Sequence, residues 1–209
     1  MKVIWLGRIP FPKALEIQNE ALSHCDQTGE ETLFLLEHDP VYTIGRLLDK
    51  SSLRDLRELP YPVHEINRGG QATFHGPGQL VGYPILDLKK RGKDLHAYIR
   101  HLESAVVQIV KSFGIDATSS EGKTGVWVGN RKIASIGIGV RRWITMHGFA
   151  LSVSSDLTGF MYITPCGLVD VRMTSLSLET GREVSLEEAR ERAVEVMQTE
   201  FGEALISDQ

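Results

Sequence analysis

The chain has 209 residues, enough to bury a full core and, at about 100–200 residues per domain, enough for one domain or a tight pair. Its 42% hydrophobic and 24% charged residues are those of an ordinary globule and exclude a disordered chain. A net charge of −4 argues against broad electrostatic binding of nucleic acid, and 2 cysteines are too few for a disulfide framework or a four-thiolate zinc site.

In chain order, Met1–Arg8 holds too short an apolar run for a secretory signal or a membrane span and reads as a short strand. This predicts a cytoplasmic protein without a membrane partner, in which Cys25 and Cys166 stay reduced. Pro10 and Pro12 open a helix with Phe11, Leu15, Gln18 and Leu22 on one stripe, closing near Asp26–Gly29, and Cys25 at its end reads as packing. Thr32–Leu36 is a continuous apolar run of strand length, His38-Asp39-Pro40 a turn, and Val41–Ile44 a second short strand. Residues 45–62 read as an irregular connection with one helical turn.

A second helix follows Asp94 as N-cap, with Leu95, Tyr98, Ile99, Leu102, Val106, Ile109, Val110 and Phe113 at spacings of three and four, and Gly114 beyond its end. A third begins at the capping box Ser185–Glu188, carries Leu186, Ala189, Ala193, Met197 and Phe201, and stops at Gly202. Between the helices the pattern predicts β structure over Ala72–Leu88, Gly125–Val128, Lys132–Val140, Ile144–Ser154 and Ser175–Leu178. Gly129-Asn130 is a strong hairpin signal and Arg141-Arg142 a weaker one. Short strands without regular βα alternation predict a single domain over residues 1–209, of α+β (α/β) class, with a mixed, largely antiparallel sheet flanked by helices.

The densest chemical signal is Arg68-Gly-Gly-Gln-Ala-Thr-Phe-His75-Gly-Pro-Gly-Gln79, where glycines let backbone amides approach a ligand and the polar residues can orient a carbonyl. Its plainer reading is a tight turn before a strand. No phosphate loop, GxGxxG, GxSxG elbow, CxxC or HExxH is present, so neither nucleotide nor metal is predicted. Cys166 lies between Pro165 and Gly167 in a loop setting, where a thiol is more often reactive than in a core stripe. Lys132 interrupts an apolar strand and must snorkel, pair or act, and His147 by itself reads as an ordinary strand histidine. Lys89, Lys90, Arg91 and Lys93, with Arg141 and Arg142, form a basic cluster that reads as a solvated loop or a docking patch for an acidic partner.

Together these segments resemble the lipoyl(octanoyl) transferase family, also called lipoate–protein ligase B. The resemblance rests on the stretch Arg68 to Tyr83 and on His38–Gly45, Gly122–Trp127, Lys132–Gly137, His147–Ala150 and Pro165–Gly167, collinear from about residue 10 to 200. It implies the fold of biotin and lipoate protein ligases and acyl transfer without ATP or any other cofactor. The donor would be octanoyl-acyl carrier protein, and the acceptors the lipoyl domains of 2-oxoacid dehydrogenases and the glycine cleavage H protein. Cys166 and Lys132 match the family's catalytic pair. Arg68, Gly69, Gly70, Gln71, Ala72, Thr73, Phe74, His75, Ser135, Ile136, Gly137, Gly148, Phe149 and Ala150 match its substrate-binding segments. Phe74, Leu151 and Ala150 are candidates to line an acyl pocket.

The chemistry is coherent without the resemblance. A cysteine of pKa about 8.5 is roughly 3% thiolate at pH 7, and one lowered to about 6.5 is roughly 75% ionised, a difference of about 2.7 kcal/mol that one adjacent ammonium can supply. An ATP-dependent lipoate or biotin ligase of the same fold, an acyl-binding module without turnover, and a cysteine hydrolase are the competing readings. The ligase makes Cys166 unnecessary, the module makes the Cys/Lys pair unnecessary, and the hydrolase replaces the amine by water.

Overall fold

A computed structural model describes residues 1–45, 59–120, 122–154, 156–163 and 171–202. The elements in chain order are β1 (Lys2–Ile9), α1 (Phe11–Thr28), β2 (Thr32–His38), β3 (Val41–Ile44), β4 (Val63–Glu65), β5 (Thr73–His75) and β6 (Gln79–Ile85). They continue with α2 (Leu95–Lys111), β7 (Thr118–Ser120), β8 (Lys123–Val128), β9 (Arg131–Arg141), β10 (Ile144–Ser152), β11 (Arg172–Met173), α3 (Leu176–Thr180) and α4 (Leu186–Phe201). Most of the irregular connection after Ile44, with its expected helical turn, lies outside the described residues.

The large sheet runs in the order β1-β2-β6-β10-β9-β8-β7, and β11 pairs with β9. Only β1/β2 and β11/β9 are parallel among its described pairs, so the sheet is mixed and largely antiparallel, as the pattern predicts. The parallel pair β1/β2 requires a crossover, which α1 supplies. The continuous apolar run of β2 follows from burial on both faces. Leu33 and Leu35 join the core under α2 and α4, while Phe34 and Leu36 join the core under α1. A small sheet, β4-β3-β5, stands apart with its own core of Tyr42, Ile44, Ala72, Phe74, Phe160 and Ile163.

The helix boundaries are set by local chemistry. Pro10 caps α1, whose stripe of Phe11, Ala14, Gln18, Leu22 and Cys25 is buried, and Gly29 ends it in the left-handed region at φ 75°. Asp94 Oδ1 accepts from the Ala97 N–H at 2.9 Å to start α2. Ser185 Oγ accepts from the Glu188 N–H at 3.1 Å to start α4, but the Glu188 carboxylate turns to Arg182 at 2.7 Å, so an ion pair takes up the carboxylate expected in the capping box.

Three β expectations change. Ala72–Leu88 divides between the sheets, with β5 in the small one and β6 in the large one, because Gly76-Pro77-Gly78 turns the chain and the Gly78 N–H is held by Glu37 Oε1 at 2.7 Å. Ser175–Leu178 is not a strand: Ser175 Oγ accepts from the Leu178 N–H at 3.3 Å and starts α3. The second hairpin turns at Arg142-Trp143, both at positive φ (54° and 66°), one residue past the expected pair. The first turns at Gly129-Asn130, with Val128 opposite Arg131. No described helix is long and apolar enough to cross a membrane.

Arg91 ties three distant pieces together. It clamps the Glu31 carboxylate with both terminal nitrogens, Nη2 to Oε2 at 2.7 Å, and Nη2 also donates to Phe201 O at 3.2 Å. Both side chains are largely buried, so truncating one strands the other's charge. Glu31→Met is expected to cost about 3 kcal/mol in urea unfolding. The double variant Glu31→Met/Arg91→Met is expected to cost less than the single one.

Candidate active site

A cavity of about 40 Å³ opens where the two sheets meet. Its first wall is the Arg68–Thr73 segment with His75 of β5, and its second is the antiparallel register of β9 and β10, where Ser135 faces Ala150, Ile136 faces Phe149 and Gly137 faces Gly148. Phe11, Ile66, Tyr83 and His147 complete the lining. Twelve of the predicted substrate-binding residues therefore surround one space: Arg68, Gly70, Gln71, Ala72, Thr73, His75, Ser135, Ile136, Gly137, Gly148, Phe149 and Ala150. Gly69 and Phe74 do not line it. The Gly69 N–H bonds to Ile138 O at 2.9 Å, docking the loop on β9, and Phe74 fills the small-sheet core against Tyr42 and Phe160. Leu151 is packed in the core under α2, so of the three acyl-pocket candidates only Ala150 reaches the cavity.

Arg68 organises the junction. Its Nη2 donates to Thr43 O at 2.9 Å and Thr43 Oγ1 at 3.0 Å, and Nη1 donates to Gly69 O at 2.8 Å. Its stem lies on Gly137, where a Cβ would stand 2.9 Å from Arg68 Cδ. At Gly45 a Cβ would stand 2.2 Å from Gly70 O. Only glycine lets the backbone pass at these two points.

Around this cation the histidines are neutral. His38 is fully buried, and because Ile9 O can only accept, Nδ1 carries the proton in the 3.0 Å bond. Nε2 then accepts from Tyr83 Oη at 2.7 Å. Burial pushes His38 down to about 4 and raises the Tyr83 hydroxyl, which keeps that donor protonated. Burial, aided by Arg68, pushes His147 down to about 4 as well. Burial, then His38 and Arg68, lowers His75 well below its ordinary value.

His147 is more than an ordinary strand histidine. It sits at φ 59°, a strained position for a non-glycine residue, and its N–H is held by Gln18 Oε1 of α1 at 2.7 Å. Its Nε2 is buried, lines the cavity, and has no hydrogen-bond partner among the described residues. Sequence reasoning missed Gln18, Tyr83, Phe11 and Ile66. Gln18 had a signal, being an amide on an otherwise apolar helical stripe.

Lys132 is fully buried on β9, outside the cavity lining. Its Nζ donates to Thr124 O at 3.0 Å and lies 5.4 Å from the centroid of the Trp127 ring. A β-bulge lies beside it, because β8 advances from Val126 to Trp127 while β9 steps from Ala134 to Lys132. Cys166, with Pro165 and Gly167, lies outside the described residues. Cys25 is buried at the end of α1, and burial raises its thiol to about 11, so it is packing and not a nucleophile.

The basic cluster is answered by neighbouring groups. Lys89 pairs with Asp26 at 3.3 Å and Asp87 at 3.6 Å, Lys90 Nζ donates to Gly29 O at 2.8 Å, and Arg142 pairs with Asp26 at 2.9 Å. With Arg91 on Glu31, four of the six cations have a partner within the fold, three of them a carboxylate.

A family model described as the lipoyl protein ligase A/B catalytic domain matches residues 10–198. The chain belongs to that family. It is 51% identical over 186 residues to a protein of Geobacter sp. (strain M21) named octanoyltransferase, covering 89% of this chain and 90% of the relative. An octanoyltransferase of Geobacter sulfurreducens is 50% identical over 91% of this chain and 80% of its own length. Among solved structures, the bi-partite lipoate protein ligase of Thermoplasma acidophilum superposes with a TM-score of 0.75 at 19% identity, covering 96% of this chain and 83% of that one. The biotin protein ligase of Aquifex aeolicus gives 0.55 at 13% identity, covering 97% and 69%. These two likenesses establish the shared fold.

The neutral histidines make stability pH-dependent with a definite sign. In the unfolded chain His38 and His147 protonate below about pH 6.5, whereas in the fold both stay neutral until about 4. Stability is therefore lost as pH falls from 6.5 to 4, by up to about 3 kcal/mol per histidine. Urea unfolding across that range is expected to show this loss, and His38→Gln is expected to remove its share of the slope.

Proposed function

We propose that the protein is an octanoyltransferase. It takes an octanoyl group from the phosphopantetheine thioester of acyl carrier protein onto Cys166 and passes it to the ε-amine of a lysine on a lipoyl domain. The observation that carries this reading is the likeness to octanoyltransferases along nearly the full length of both chains. The cavity agrees with it. Ile136, Phe149, Ala150 and Phe11 offer an apolar wall for an alkyl chain, and Arg68 and His75 face them with polar groups.

Lys132 is the acid and base of the proposal. The Cys166 thiolate, paired with the Lys132 ammonium, attacks the donor carbonyl; the carbon–sulfur bond to pantetheine breaks, and Lys132 protonates the departing thiolate. Lys132 is then neutral. The acceptor lysine attacks the acyl-enzyme as a free amine and gives a proton to Lys132, and Cys166 leaves as thiolate, which restores the starting pair. Protons balance over the cycle. Thioester exchange is nearly even in energy and amide formation is downhill, so no nucleotide is consumed.

Incubation with octanoyl-acyl carrier protein and no nucleotide is expected to give an octanoyl adduct by intact mass, lost as an added lipoyl domain gains it. Cys166→Ser is expected to give no adduct. An adduct surviving in Cys166→Ser overturns the covalent mechanism, and an absolute need for ATP moves the protein to the ligases.

A further inference from the structure

The core face of α2 carries one carboxylate among Tyr98, Leu102, Ala105, Val106, Ile109 and Val110. Glu103 is fully buried, with 1% of its side chain exposed. Arg100, one turn earlier and half exposed, holds Oε2, and Oε1 accepts from the Gly125 N–H on β8 at 2.9 Å. That N–H and the Thr124 carbonyl are the two ends of one peptide group. The carbonyl end accepts from Lys132 Nζ at 3.0 Å. A buried carboxylate, a rigid peptide and a buried ammonium thus stand in series.

The geometry points to Glu103 as a positioning residue for Lys132, acting through the Thr124–Gly125 peptide. This inference rests on the reading of Lys132 as acid and base given above. The carboxylate anchors the N–H end and so fixes the plane in which the carbonyl meets Nζ. Its charge also polarises the peptide, making the oxygen a stronger acceptor for the ammonium. Gly125 is part of the device. It lies at φ 134°, and a Cβ there would stand 2.6 Å from Lys132 Cε and 2.7 Å from Ala134 O.

A purely structural role explains this less well. Gly125 needs one acceptor, and a neutral glutamine of the same shape would supply it without the cost of burying a charge. Arg100 answers the charge at Oε2, and the other oxygen is spent on the N–H end of the peptide whose carbonyl end meets Lys132.

The test compares Glu103→Gln, Lys132→Met and the double variant in octanoyl transfer from octanoyl-acyl carrier protein to a lipoyl domain, with Tm measured for each. Glu103→Gln keeps an acceptor for the Gly125 N–H and removes the charge together with the oxygen that accepts from half-exposed Arg100. It is expected to lower Tm by the loss of that pair and to leave KM close to wild type while kcat falls about tenfold, against the roughly 10²–10⁴-fold cost of losing an acid/base group in Lys132→Met. On the Lys132→Met background, Glu103→Gln is expected to change nothing further. Wild-type kcat in Glu103→Gln beside an inactive Lys132→Met, or equal losses on both backgrounds, overturns the relay and leaves the acid/base reading standing. Wild-type turnover in Lys132→Met overturns both. If Glu103→Gln does not fold, NMR on the wild-type protein decides. A coupling across the hydrogen bond between Lys132 Nζ and the Thr124 carbonyl carbon, with one between the Gly125 nitrogen and the Glu103 carboxyl carbon, is expected, and absence of either overturns the proposal.

Discussion

The contact on which the site depends is the one between Arg68 and the two sheets it joins. Its guanidinium is bonded to Thr43 at the end of the small sheet and its stem presses on Gly137 in the large one. A planar donor fork suits this task, because it can hold a carbonyl and a hydroxyl of one residue while a third bond fixes its own loop. The cavity is the space that this joint leaves open. Its walls are backbone-rich because Gly45 and Gly137 let the Arg68–Gly70 segment lie close against β3 and β9.

Charge within the molecule is arranged by burial. The histidines around the cavity are too deeply buried to carry a proton near neutrality, so the junction holds the Arg68 cation without a ring of further positive charge. Lys132 is buried elsewhere, against a carbonyl and an aromatic face. On the surface, the basic run from Lys89 to Arg91 is met by Asp26, Glu31, Asp87 and a backbone carbonyl. An acyl thioester carries no charge at its reacting carbon. The proposed site for it gains more from shape and directed hydrogen bonds than from a strong field.

Much of this was legible from local sequence. The three long helices follow from stripes at spacings of three and four and from Pro10, Asp94 and Ser185 at their starts, which are short-range effects. The Gly129-Asn130 hairpin is equally local. The errors also have physical causes. Ser175–Leu178 has the apolar content of a strand, yet the serine hydroxyl satisfies a free N–H and begins a helix. The stretch after Ala72 looked continuous because nothing in its composition says that its two halves pair with different partners. Phe74 and Leu151 looked like pocket residues because apolar side chains in a core and in a cavity wall are chemically alike.

The sequence by itself determined the long helices, most strands and the class of fold, since backbone propensity, periodicity and motif spacing act within a few residues. Tertiary structure decided which segments meet. It brought Arg68–His75 onto β9 and β10, set Gln18 of α1 to hold the strained His147, paired Arg91 and Arg142 with distant carboxylates, and put Glu103 at the far end of the peptide that meets Lys132. Each of these contacts joins residues well apart in the chain, through hydrogen bonds and close packing that arise only once the sheets and helices have closed on one another.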